Sequence, residues 1–164
     1  MECESQFRNG MTRVNPPAQY IDAPRHPDLK ALLEYWTSKR GARAMPLRTD
    51  IKPSELKPLL PDIMIWSAIA PFHIRLVGDH IANFVGTNNT GRPATEGMAP
   101  PAAAAMLEVL NQVVTSKAPR FRAGKAHWAP SQSWRDFEAC FLPLSDDGRN
   151  VDTILSGIKF DTGS

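Results

Sequence analysis

FHIRLVGDHIANFVGTNNTG, residues 72–91, is the stretch on which the fold turns. It opens with alternation: Phe72, Ile74 and Leu76 fall on one side, His73 and Arg75 on the other, the period-two pattern of a half-buried strand. Gly78 and Asp79 interrupt it, and Asp79 is placed to cap the segment that follows. Ile81, Phe84 and Val85 then sit at helical spacing, so the strand runs into a short helix that Gly86 stops. Thr87-Asn88-Asn89-Thr90-Gly91 favours caps, turns and left-handed backbone. Strand, tight turn, short helix and polar loop fit the early part of a small α+β domain and carry no catalytic signature.

Upstream, Asp62 to Ile69 (DIMIWSAI) is apolar at nearly every position between Pro61 and Pro71, as expected of a strand covered on both faces. With Ala70-Pro71 as the turn it pairs with Phe72 to Val77 as a hairpin. Before it lies a connector in which Arg43, Arg48 and Asp50 carry charge and Ser54 is placed to cap one turn. Earlier still, Leu29, Leu32, Leu33 and Trp36 recur at helical spacing through DLKALLEYWTSKRG, with Asp28 as expected cap and Gly41 as stop. This apolar stripe packs either on its own domain or on a second copy of the chain, so its four residues are the candidate dimer contact. Residues 1–27 show no sustained period and are interrupted by Pro16-Pro17, Pro24 and Pro27, which predicts a flexible arm.

Downstream, Pro100-Pro101 precede AAAAMLEVLNQVVTSKA, a helix with Met106, Leu107, Leu110, Val113 and Val114 on one face and Pro119 at its end. Three strand-like runs follow, Arg120 to Trp128, Trp134 to Leu144 and Val151 to Phe160. Asp146-Asp147-Gly148 reads as the hairpin turn between the last two. The expected divisions are therefore a 1–27 arm, an N-terminal helix and connector over 28–61, and a core over 62–161.

The chain has 164 residues, 42% hydrophobic and 22% charged, with a net charge of +2. That is enough for one domain with a real core and too little positive charge for a dedicated nucleic-acid binder. Two cysteines, Cys3 and Cys140, argue against a disulfide framework. No apolar run approaches the roughly 20 residues that span a bilayer, and MECESQFRNG has acids where a signal peptide needs positive charge. The expectation is a soluble cytoplasmic protein without membrane contact.

At this point the chain resembles the PAS domain superfamily, and within it the compact single-domain family common in alphaproteobacteria. The resemblance is carried by LLEYWTSKRGARAMPLRTDIKP (32–53), LLPDIMIW (59–66), IRLVGDHI (74–81), GTNNTGRP (86–93) and LPLSDDGRNVDTIL (142–155), in this order. It implies an α+β fold with a five-stranded antiparallel sheet, spatial order 2-1-5-4-3 counting the five runs along the chain. Helices lie over one face, and the amphipathic N-terminal helix is added. The resemblance further implies a sensory or adaptor role in signalling. The chain departs from many PAS proteins in showing no kinase, cyclase or DNA-binding domain beside this one.

The chemistry-bearing residues do not assemble a reaction. His26, His73, His80 and His127 are scattered without metal spacing. His80 lies in the short helix rather than the long one where a PAS haem ligand usually sits, and residues 88–93 lack the cysteine of flavin photoreceptors. Haem, flavin and a metal are thus all disfavoured, and no Gly-x-Ser-x-Gly elbow or acid/base pair points to an enzyme. Arg120-Phe121-Arg122, with Lys125, His127 and Trp128, mixes cations and aromatics as single-strand binders do. A strand, however, sends Phe121 to the core and the arginines to water. What remains is a cavity walled by Phe72, Ile74, Leu76, Phe84, Met106 and Leu110, with Asn88, Thr90 and Arg122 as polar donors. A small molecule, a signalling protein and a second copy of the chain are the partners this reading points to. The alternatives are a small enzyme using the same cavity and a structural module with a filled core.

Overall fold

The computed structural model describes residues 18–69 and 71–161. Among these, six strands form one antiparallel sheet: β1 (Gln19–Ile21), β2 (Ile63–Ser67), β3 (His73–Val77), β4 (Arg120–Lys125), β5 (Asp136–Leu144) and β6 (Thr153–Phe160). Their order is β1-β4-β5-β6-β2-β3. The sheet thus has six strands rather than the five expected. The added one, β1, pairs with β4 from Gln19↔Ala123 to Ile21↔Phe121. Gly124 permits this approach, since a Cβ there would stand 2.6 Å from Ala18 Cα. The arm expected over 1–27 therefore ends in a strand and the start of a helix; residues 1–17 and the turn residue Ala70 lie outside the described residues.

The paired register divides the core into two halves. Ile63 pairs with Gly157, Gly157 with Cys140 and Cys140 with Phe121, so these four share one face. Over that face lies α1 (Pro27–Arg40), which buries Leu29, Leu32 and Trp36. The expected dimer stripe is thereby spent on the chain's own sheet, with Leu33 half-buried at its margin. Gly157 makes the close approach workable: a Cβ there would lie 2.8 Å from Cδ2 of both Leu29 and Leu32. Trp36 Nε1 donates to the Pro143 carbonyl at 2.8 Å. The helix cap is His26 rather than Asp28, its Nδ1 accepting from Asp28 N, and Pro27 takes the first helical position, where a missing N–H costs nothing. Buried Glu138 of β5 accepts from the Arg25 and His26 amides at 2.7 and 2.9 Å, a carboxylate at the helix's positive end.

The opposite face carries Met64, Trp66, Ala139, Ile158 and Arg122, and receives α2 (Asp79–Val85) and α3 (Pro100–Ser116). Helices thus cover both faces, which is why β6 is buried along most of its length. Between α1 and β2 the chain takes short 3₁₀ turns at Arg48–Asp50, Pro53–Glu55 and Lys57–Asp62 instead of one Ser54-capped turn. The charges of the connector form an ion pair, Arg43 to Asp50 at 2.8 Å. Gly78, not Asp79, is the N-cap of α2, and its missing side chain matters: a Cβ would meet the Pro61 carbonyl oxygen at 2.3 Å.

Between β5 and β6, Gly148 takes φ 77° and Asp147 organises the turn. Its Oδ1 accepts from the Arg149 and Asn150 amides, each at 2.8 Å, and from Ser145 Oγ. Those amide bonds, with the Ser145 and Asn150 side chains, hold its pKa well below the usual carboxylate range.

Two outcomes test this construction. Gly157→Val should overpack the seam under α1 and cost roughly 1–3 kcal/mol in denaturant melts; an unchanged midpoint would mean that α1 does not rest there. Asp147, with its folded pKa depressed, contributes stability above its unfolded value of about 4 and loses it as pH falls through the folded value. Asp147→Asn should therefore make thermal stability fall less steeply than wild type below about pH 4. Parallel acid melts would count against the turn's role.

Candidate functional site

Between the sheet face away from α1 and the helices that cover it is a cavity of about 240 Å³. Its floor is Met64 and Trp66 of β2, Ile74 and Val77 of β3 and Ile158 of β6. Ile81 and Val85 of α2 form one wall, Met106 of α3 and Trp128 another. Thr87, Asn89, Ala94, Glu96 and Met98 come from the loop joining α2 to α3. The lining is thioether, indole and branched aliphatic, with Thr87, Asn89 and Glu96 as its polar groups. Trp66 keeps its own polar atom occupied, donating from Nε1 to Ser156 Oγ at 2.8 Å.

Of the residues the sequence proposes for this cavity, Ile74 and Met106 line it. Leu76 does not. The pairing of β2 with β3 slips between Ile65 and Trp66, so that Ile65 faces Leu76 while Trp66 faces Ile74, and Arg75 becomes the extra residue of a bulge. The bulge reverses the alternation, sending Val77 to the cavity and Leu76, 41% exposed, to the α1 side of the sheet with Ile65. Phe72 is half-buried and borders a separate surface depression with His73, Arg75 and Pro93. Phe84 is buried beside the cavity, its ring stacked on Phe160 at 3.6 Å, with the Arg135 guanidinium 4.8 Å from its centroid. Leu110 is fully buried core. Asn88 and Thr90 are exposed and bonded to each other, Thr90 N to Asn88 Oδ1 at 3.0 Å, while the residues on either side of Asn88 reach the cavity.

Arg122 departs furthest from expectation. Its strand neighbour Phe121 enters the core as expected, but Arg122 enters the other half of the core, under α3, instead of pointing to water. It lines a second, smaller cavity with Trp128. Met64 and Trp66 are open to discovery from the sequence by carrying the Ile74 face across to β2, whereas Val77 reaches the cavity only through the bulge. Trp128 is not open to discovery in that way, because it follows β4 in an irregular segment where no period applies; edge-on contact with Phe137 at 5.5 Å fixes it.

Several other titratable groups are tied into the scaffold. Burial pushes the Cys140 thiol up to about 12, and it behaves as a small apolar side chain. His80 Nδ1 lies 3.0 Å from Asp62, whose other oxygen receives Lys159 Nζ at 2.9 Å; Lys159 also reaches Asp28 at 3.1 Å. Burial works to lower the Lys159 pKa, and the bonds and charges of Asp62 and Asp28 outweigh it. Among the described residues, no cluster of His, Cys, Asp and Glu is placed to hold a metal, and no helix is long and apolar enough to cross a membrane.

A model of the PAS domain family matches residues 24–158, and the chain belongs to that family. Among solved structures it is similar to the PAS domain of Bordetella pertussis BvgS, at 20% identity and TM-score 0.47, over 64% of this chain and 85% of that one. It is also similar to a light-oxygen-voltage domain described with a flavin analogue, at 13% identity and TM-score 0.47, over 67% of this chain and 84% of that one. No curated protein matches the sequence.

The bulge makes a sharp contrast testable. Met106→Phe adds volume into the cavity and should change stability by no more than about 1 kcal/mol, whereas in a filled core it would cost roughly 1–3 kcal/mol. Leu76→Phe, on the other face and half in water, should leave the cavity untouched. Denaturant melts of both, with xenon binding followed by NMR at the Ile74 methyls, check this. Xenon shifts that Leu76→Phe abolished and Met106→Phe preserved would reverse the assignment of the two faces.

Proposed function

We propose that this PAS domain is a cytoplasmic sensory or adaptor module that binds a compact, mainly apolar small molecule between its sheet and α3. The observation that carries the reading is the cavity itself. At about 240 Å³ it lies just under the roughly 300–1,000 Å³ of drug-sized ligand sites, and its polar groups are few and grouped on one loop. The sequence resemblance to the alphaproteobacterial single-domain family supports the same role. The chemistry asked of the lining is recognition, with no bond made or broken.

The means of response is a shift in population. A ligand that prefers one packing of the loop at 86–99 and α3 over another moves the balance by its difference in affinity, and by no more. A signalling protein, or a second copy of the chain, reads that change from outside. Two parts of the loop differ in how firmly they are held. Gly91, Arg92 and Ala94 exchange backbone bonds with Phe72 and Ile74 at 2.7–3.0 Å, whereas the backbone of Thr95 to Met98 is held by two local turn bonds, Glu96 N to Pro93 O and Met98 N to Thr95 O, each at 3.1 Å. The second segment brings Glu96 and Met98 to the cavity and leads directly into α3.

Denaturing mass spectrometry of the purified protein should release a small, mainly apolar compound in stoichiometric amount. Met106→Phe should lose the compound and stay folded, with the melting temperature of wild type stripped of the compound. A compound retained at full occupancy by Met106→Phe would place it elsewhere. A clean extract, with no small molecule raising the melting temperature in a fragment screen, would leave a structural adaptor as the function.

A further inference from the structure

We propose that the second cavity, between the first turn of α3 and the end of β4, is a site for a small monocarboxylate. It measures about 100 Å³ and is bordered by Arg122, Lys125, His127 and Trp128 on one side and by Pro101 and Ala102 of α3 on the other. It is distinct from the apolar cavity, and the two share Trp128 as a wall.

Two buried donors there lack an acceptor. Arg122 is 5% exposed and Trp128 8% exposed; Arg122 Nη1 and Trp128 Nε1 have no hydrogen-bond partner among the described residues. Guanidinium and indole nitrogens only donate, so the missing group is an acceptor. Arg122 also makes no ion pair among the described residues. Its contacts are soft, the Phe137 ring lying 6.0 Å from its guanidinium. Burial pulls its pKa below the usual guanidinium value, while Tyr20 and Glu108 are near enough to offset this in part. A buried cation in this condition calls for a counter-charge.

The helix supplies the same sign. Ala99, the N-cap of α3, has no side-chain oxygen, and the first turn carries no acid. Pro100 and Pro101 have no N–H, so the first amide that α3 presents is that of Ala102, at the cavity's edge. The size and the remaining groups choose the anion. Arg122 offers a planar fork suited to a carboxylate. Lys125 is already paired with Asp136 at 2.8 Å, which limits the free positive charge and disfavours a dianion. Pro101, the Ala102 methyl and the Trp128 ring suit a short alkyl tail.

The test uses the full ¹⁵N-labelled chain titrated with sodium propionate against sodium chloride at constant ionic strength. The Trp128 indole N–H resonance, assigned with Trp128→Phe, should shift saturably while those of Trp36 and Trp134 stay in place. Arg122→Gln should weaken the response by roughly tenfold or more, and Arg122→Lys, which keeps charge without the fork, should fall between. Should Arg122→Gln fail to fold, Ala102→Asp provides a second measurement. It favours the helix start, places a carboxylate at the cavity and should abolish the propionate response in a folded protein. The site does not depend on the apolar cavity, so Met106→Phe should respond as wild type does. No saturable shift at Trp128, an undiminished shift in folded Arg122→Gln, or a response to inorganic phosphate as large as to propionate would each overturn the proposal.

Discussion

The contact on which the rest of this molecule depends is α1 lying against β6 at Gly157. A sheet whose strands are apolar on both sides has to be dried twice, and the inner strands β2, β5 and β6 offer almost nothing polar to water on either face. Gly157 is where the backbone of β6 yields room for Leu29 and Leu32, and Trp36 locks the helix further along through the Pro143 carbonyl. The polar ties around this seam are few and well placed. Glu138 holds the helix start; Lys159 joins Asp28 of α1 to Asp62, and Asp62 reaches His80 of α2. Exposed ion pairs are worth little, about 0–1 kcal/mol, but Asp62 is buried, so its partners are held rather than merely adjacent. One chain of side chains thus runs from the helix on one face to the first helix on the other.

How much of this was written in the sequence depends on whether a local period governs the element. The helix stripe at 29–36, the two-sided run after Pro61, and the glycines that end α1 and α2 are local and legible, as is the positive φ of Gly148. β1 was hidden because three residues among prolines carry no pattern, and its pairing is licensed far away by Gly124. The alternation of β3 has the right period but does not extend past Ile74, since the bulge at Arg75 is decided by register against β2. That single slip exchanged Leu76 for Val77 in the candidate site. Arg122 was misplaced for the opposite reason. The rule that strand arginines face water holds when one face is wet, and here α3 covers the face on which Arg122 lies.

The two cavities have a wall in common. Both are bounded by Trp128, a residue held by packing against Phe137 and Phe160 rather than by its own hydrogen bond. An indole in this position presents its body to the apolar cavity and borders the cationic one as well. Its neighbours set the contrast: Met64, Met98 and Met106 offer adaptable, polarisable surface on one side, and Arg122 and Lys125 offer charge on the other.

That contrast bears on where this small domain can yield. A well-packed core is stiff and passes strain on as discrete repacking, not as smooth deformation. A methionine-lined cavity is the softest part of such a core, and here it adjoins the segment Thr95–Met98 and the start of α3. Where α1 crosses β6 there is no comparable slack, because Gly157 and the two leucines already stand at contact distance. The soft lining therefore lies on the α3 side of the sheet and not at the seam under α1.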